Sequence, residues 1–459
     1  MRKTLLIGLV LGLAVALAAP AMAVDWLAQG AMNIKAAYYK NMDLRWATWL
    51  GGPPTLGDQD PAWNRQSAWV QMRTVLMVTA RADENLYGTV GFEIDSARWG
   101  TGEGSVFAVD AGVWNADAIA VEVKNAFIDF KTPFVPVWLR TGIQTFSVRP
   151  WVFLLVDAAG VSSRIVFDID PVTVSINPFW AREWEGLDHT AADDWDLYGV
   201  DVTVGVGGIT GGLFFVYEAM RQEFDGPFTE GDITQWWIGP HLDANIGPFA
   251  ATLDFVYNGG EYDFQAGFPW DDLDIGGWIF RGEASYTWNK LRFGIGGLYC
   301  SGDDRDTMDF EDYVVPANNR EMSNNDFLIV MGDWGLYIPY GTNNVVGFYQ
   351  ERATPGYGIW YVRGFADYQV LSWLKLMANV GYIGDTTSGT GGDTFGSDLD
   401  DDDSIGWEFD AGVQVQIYKN LVMSSVFGYL IGGKALLSMT DGDRAQDPWA
   451  WVTTLSYAF

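Results

Sequence analysis

After residue 23 the chain has no run of 18 apolar residues, yet it is rich in segments of about ten residues in which bulky apolar side chains alternate with small or polar ones. A period of two sends successive side chains to opposite faces of a strand. In one such segment Ile405, Trp407, Phe409, Ala411, Val413, Val415 and Ile417 share a face, against Gly406, Glu408, Asp410, Gly412, Gln414, Gln416 and Tyr418. In another, Trp278, Phe280, Ala284, Tyr286 and Trp288 oppose Arg281, Glu283, Ser285 and Thr287. Helical membrane spans are excluded after residue 23, because they need about 20 consecutive apolar residues. In hydrocarbon every backbone polar group needs an internal partner, which leaves a closed sheet as the spanning structure. The 54 Gly, 23 Trp, 27 Phe and 20 Tyr suit tight turns and aromatic girdles. The fold expected is all-β, a transmembrane antiparallel barrel.

Reading along the chain, alternating segments fall near 31–40, 67–81, 86–97, 118–130, 137–148, 163–168, 172–182, 196–206, 213–221, 234–245, 249–258, 275–288, 291–300, 356–370, 373–383, 404–418, 421–433 and 449–459. About 18 strands result, with 16 as the alternative because 31–40 and 163–168 are the weakest segments. Short turns such as Gly207-Gly208 and Asn289-Lys290 alternate with longer Gly-, Asp- and Pro-rich connections, as expected of short periplasmic turns and long extracellular loops. The phase slips near Asn125, which predicts a bulge. Residues 149–160 are too apolar for an exposed loop and too rich in Gly and Ala at their end for a strand. They are expected to fold inward and narrow the bore, or else to pack on neighbouring loops or a second protomer.

The last residues repeat the alternation, with Trp449, Trp451, Thr453, Leu455 and Tyr457 on one side and small residues between them. Ending on Phe459 with Tyr457 two positions earlier resembles the terminal insertion signal of bacterial outer-membrane barrels, which the barrel-assembly machinery reads. At the other end Arg2 and Lys3 precede an apolar run over 5–19 and Ala21-Met22-Ala23, the pattern of a secretory signal peptide. Residues 1–23 are therefore expected to be removed, leaving 24–459 as one barrel domain in the bacterial outer membrane, surrounded by its lipid. The alternative is an N-terminal anchor.

Charges on the lipid side of a barrel cost about 2–4 kcal/mol for Arg or Lys at the midplane, so parity assigns the charged faces to the lumen. The pore-lining candidates are Arg73, Glu93, Asp95, Glu122, Lys124, Arg140, Asp243, Asp254, Arg281, Glu283, Arg363, Asp367, Lys375, Glu408 and Asp410, with Asp201 beside them. Acids outnumber bases here, and a one-sign field between low-dielectric walls enriches ions of the other sign. The expectation is a water-filled channel with a mild preference for cations or neutral solutes. The alternative is that the charges pair across the lumen and select nothing.

Several stretches resemble the alginate-export-like outer-membrane porins: Ser404-Ile-Gly-Trp-Glu-Phe-Asp410, Tyr418-Lys-Asn-Leu421, Gly428-Tyr-Leu-Ile-Gly-Gly433 and Ser301-Gly-Asp-Asp304. Leu139-Arg-Thr-Gly-Ile-Gln-Thr-Phe146 is similar to a strand found across porins more widely. Together these cover about a tenth of the chain. The resemblance implies 18 strands and a basic passage for an anionic polysaccharide, and the acid-rich inner face departs from it. Export-family likeness points to a monomer, and general porin likeness to a homotrimer.

Other classes find little support. The formal charge of −32, from 27 basic and 59 acidic residues, argues against a nucleic-acid partner. A single Cys300 excludes cysteine-ligated zinc and iron-sulfur sites, and no Cys-x-x-Cys-His haem motif occurs, so no cofactor is expected. His189 and His241 are the only histidines, and no G-x-S-x-G motif accompanies them, so no enzyme is expected. The acids Asp398, Asp400, Asp401, Asp402 and Asp403, and those from Asp303 to Asp312, read as solvated loops; bridging of divalent cations to lipid headgroups is the alternative. Three functions remain: a diffusion channel for small hydrophilic solutes or ions, a dedicated polysaccharide or solute channel using aromatic tracks at Trp236-Trp237 or 337–340, and a structural barrel that sheathes a partner.

Overall fold

A computed structural model describes residues 24–41, 66–99, 121–150, 152–184, 194–222, 231–264, 272–304, 307, 309–316, 326–329, 358–386, 404–433 and 447–459. The first strands are β1 (Asp25–Lys40), β2 (Gln66–Asp83), β3 (Leu86–Arg98), β4 (Glu122–Lys131), β5 (Val137–Val148) and β6 (Leu154–Ile169). The next are β7 (Val172–Trp184), β8 (Trp195–Val206), β9 (Ile209–Gln222), β10 (Gly231–Ile246), β11 (Phe249–Phe264) and β12 (Leu273–Trp288). The last are β13 (Leu291–Cys300), β14 (Ile359–Leu371), β15 (Leu374–Asp385), β16 (Ser404–Tyr418), β17 (Leu421–Gly432) and β18 (Trp449–Ala458). Each strand pairs antiparallel with its sequence neighbours, and β1 pairs with β18, so the 18-stranded sheet closes.

Closure rests on the alternating ends. Ala31 through Lys40 register against Ala458 through Trp449, and Gly30 and Phe459 exchange two backbone hydrogen bonds of 2.9 and 3.0 Å. Gly30 is required there, because a Cβ would lie 2.4 Å from the Val75 carbonyl and 2.7 Å from the Phe459 ring. Two-residue turns close one end of the wall except between β4 and β5, where five residues connect the strands. Gly207 and Gly208 have φ of 57° and 84°, the left-handed pair that a tight hairpin needs.

Both weak segments are full strands. β1 begins six residues before the expected 31, and β6 runs from Leu154, absorbing most of the stretch expected to leave the wall. The correction has a physical reason: Ala158 and Gly160 face inward beneath Phe146 and against β7, where small residues are what the packing admits. Of the described residues in that stretch, Arg149, Val152 and Phe153 turn inward, with Val152 and Phe153 buried. The bulge near Asn125 is present: Gly91 faces Asn125, while Phe92 faces Val123. Another bulge lies between Ile383 and Gly384. Beside it, Gly406 takes φ 140°, and Ile405, expected on the outer face with Trp407, is fully buried inside.

The outer face carries aromatic residues in two bands. Trp236, Tyr257, Trp278, Tyr299, Trp360, Tyr382 and Trp407 succeed one another across β10 to β16, with Trp278 stacked on Tyr299 at 4.7 Å and Tyr382 tilted against Trp407 at 5.3 Å. Phe249, Tyr286 and Phe293 form the second band near the tight turns. From Trp278 to Tyr286 or Trp288 the strand climbs eight to ten residues, so at ~3.3 Å per residue and ~40° tilt the bands stand roughly 20–25 Å apart. Between them lie exposed apolar residues such as Leu253, Phe255, Phe280 and Ile295.

Candidate functional site: the charged interior

Two segments enter the barrel and give it an apolar interior. Phe153 stacks on Phe214 at 4.7 Å and leans on Trp237 at 5.6 Å. From the connection between β13 and β14, Tyr313 donates its hydroxyl hydrogen bond to the Val152 carbonyl, and Trp237 donates to the Val314 carbonyl. Farther along that connection Phe327, Leu328 and Ile329 are fully buried, with Phe327 edge-on to Tyr361. Burial pushes the Tyr313 hydroxyl well above its ordinary pKa.

Around this cluster the charged residues form one connected array across β10 to β14. Arg149 contacts Asp243 and Asp254, each at 2.5 Å. Asp254 continues to Arg281 at 3.9 Å, and Arg281 to Asp326 at 3.6 Å. Arg363 joins Asp326 and Glu283, both at 2.6 Å, and Arg292 joins Glu283 at 2.9 Å and Asp367 at 3.4 Å. Four arginines thus face five acids (Asp243, Asp254, Glu283, Asp326 and Asp367), one more negative than positive. Where such charges are withdrawn from water, as at Asp254, Asp326 and Arg363, pairing offsets the cost of desolvation. Burial alone would lower the Arg149 pKa, but its hydrogen bonds and attraction to Asp243 and Asp254 outweigh that and raise it, keeping the guanidinium charged.

Asp326 holds the inward segment to the wall. It accepts from Arg363 and from the Tyr361 hydroxyl, while Asn379 donates to its carbonyl at 2.7 Å. Three residues on, the Ile329 amide donates to the fully buried Glu408. Asp410 accepts from Asn379 at 2.9 Å.

The remaining candidates stand apart from that array. Arg73 and Glu93 form a buried pair, and Lys124 links Glu93 at 2.9 Å to Asp157 at 2.6 Å. Arg140 pairs with Asp129 at 2.7 Å over the Phe127 ring. Glu122 lies opposite Glu93 in register and is exposed, and the Asp95 side chain lies outside the described residues. Lys375 is half-buried on the inner face, with no ion-pair partner among the described residues. A cavity of about 350 Å³ opens along the inner wall of β4 to β8, lined among others by Trp138, Arg140, Ser162, Arg164, Asn177, Phe179 and Asp201. His241 faces the same wall, with Nε2 3.1 Å from Asp201.

Two expectations are corrected here, and others fall on residues outside those described. Trp236 and Trp237 make no aromatic track, because strand alternation puts Trp236 in the outer band and buries Trp237 under Phe153. Residues 337–340 and the acids at 398–403 lie outside the described residues, as does His189. The acids following Ser301 are not simply solvated: Asp303 and Glu311 accept from backbone amides at 3.1 and 3.0 Å, and Asp312 is buried. Parity alone placed Arg281, Glu283, Arg363 and Asp367 inside. It also applied to Arg292, which went unused, whereas Asp326 sits in a connection with no periodicity to read.

No protein-family model matches the chain, and no curated protein sequence does. Solved barrels resemble it in course. OccK11 (OpdR) of Pseudomonas aeruginosa is 14% identical over 94% of this chain and 96% of that one, with a TM-score of 0.49. OpdQ of the same organism is 11% identical over 94% and 98%, with a TM-score of 0.49. OmpT of Vibrio cholerae in its trimer form is 11% identical over 95% and 99%, with a TM-score of 0.41.

Proposed function

We propose that the chain is a bacterial outer-membrane channel for passive diffusion of small hydrophilic solutes, with a mild preference for cations or neutral molecules. One observation carries the reading: a closed 18-strand wall has an apolar outer belt between aromatic bands, while its inner wall is charged. Only a lipid-embedded cylinder uses both faces in that way. Most inner charges are paired, so selectivity rests on the single excess acid of the array, on exposed acids such as Glu122, and on opposing cations such as Arg164 and Lys375. The paired arginines do not make the uninterrupted basic passage that the alginate-export resemblance implies, which favours small solutes over an anionic polysaccharide. In this reading the inner-face charges named above line the pore, Tyr457 and Phe459 form the signal read by the assembly machinery, and residues 1–23 are removed.

Refolded protein in a planar bilayer under a KCl gradient tests the proposal. Conductance steps with a reversal potential at zero or on the cation side are expected. Silence removes the channel, and a clear anion preference removes the selectivity. N-terminal sequencing of the outer-membrane fraction is expected to begin at Val24.

A further inference from the structure

The inner face at the far ends of β7, β9 and β10 brings together oxygen acceptors that the solute path does not use. The ladder between β7 and β8 shifts register between Arg182 and Trp184, leaving Glu183 without a backbone partner and its carboxylate beside that of Glu218. Bulges commonly re-aim a side chain in this way. Glu218 is fully buried, between Leu197 on one side and Gln235 on the other, its direct Cα partner across β9 and β10. Gln235 is 7% exposed. Its Oε1 and both carboxylate oxygens of Glu183 are buried and receive no hydrogen bond from the described residues. The neighbouring cation, Arg182, is engaged by Asp194 at 2.8 Å and Asp196 at 2.9 Å.

Two carboxylates side by side away from water repel, and a buried amide oxygen without a donor adds a further cost. A hard divalent cation removes both penalties, since it prefers carboxylate and amide-carbonyl oxygens. We propose that Glu183, Glu218 and the Gln235 side-chain oxygen bind a divalent cation of the calcium class, fastening the rim of β7 to β10. The alternative arrangement is a proton shared between the two glutamates, which needs no metal and leaves Gln235 unanswered.

Detergent-refolded full-length protein tests the site with Tb³⁺ as probe, excited through indole, because Trp237 is the next inward residue after Gln235. Sensitised emission is expected, displaced by Ca²⁺ with a Kd on the order of 10⁻⁴ to 10⁻³ M, the range of extracellular calcium sites. Glu183→Gln and Gln235→Leu should each lower the displaceable emission several-fold, while the acidic loops contribute equally to all variants. Unchanged emission in both variants overturns the proposal. A second readout needs no variant: the wild-type melting midpoint should rise in about 1 mM CaCl₂ relative to EDTA. An equal midpoint in both, or a Glu183→Gln barrel that is more stable in EDTA and indifferent to Ca²⁺, assigns the pair to a shared proton and overturns the cation site.

Discussion

Replacing Asp326 with Ala should convert a steady channel into a fluctuating one. Phe327, Leu328 and Ile329 are fully buried, and burial of three such side chains is worth about 5–9 kcal/mol. Ordering the four residues from Asp326 to Ile329 costs about 4–8 kcal/mol in backbone freedom. Those two contributions nearly cancel, so the anchor decides. Asp326 accepts from Arg363 at 2.6 Å and from Tyr361, and lies 3.6 Å from Arg281. Removing one partner of such a buried pair costs about 3–5 kcal/mol, the margin by which the docked segment is favoured. Asp326→Ala should therefore leave docked and undocked forms comparably populated, with the barrel intact because its wall is untouched. Single-channel recordings should show at least two interconverting current levels and more open-channel noise, with unchanged far-UV circular dichroism. A variant with the wild-type level and noise would refute the assignment of Asp326 as the anchor.

Other substitutions probe separate parts of the argument. Leu253→Arg, between the aromatic bands on the outer face, should cost about 2–4 kcal/mol in urea unfolding from vesicles. Gly30→Val, where even a Cβ meets the Val75 carbonyl at 2.4 Å, should block closure and leave the unfolded gel mobility in refolding trials. Because Lys375 has no ion-pair partner among the described residues, Lys375→Glu should move the reversal potential towards the cation side without adding current levels.

The wall was legible because lipid and water impose opposite demands on alternate residues, so Trp278 to Trp288 and Trp407 to Ala411 announce their faces. Where backbone geometry broke the alternation, legibility was uneven: the slip near Asn125 showed in the sequence, and the one beside Ile405 did not. Ile405 reads as lipid-facing by parity, yet the neighbouring bulge and Gly406 at φ 140° bury it. The stretch from Leu154 to Gly160 looked too small for a strand because its Ala and Gly answer to Phe146 and β7 rather than to the bilayer. Inward residues such as Asp326 and Phe327 belong to no repeat. Their roles depend on Arg363, Tyr361 and Asn379, which are distant in sequence and near only once the cylinder has closed.

The ladder between β4 and β5 joins only Ala126 through Lys131 to Ile143 through Trp138, whereas β5 and β6 match along the whole of β5. Above that short zipper, Lys124 alone among the described ion pairs reaches from Glu93 of β3 to Asp157 of β6. The cylinder is therefore mechanically uneven, with a line of weakness on one flank that is stitched by an ammonium group. Under heat or tension it should part there first, and amides of residues 144–148 should exchange with solvent sooner in Lys124→Met than in the parent.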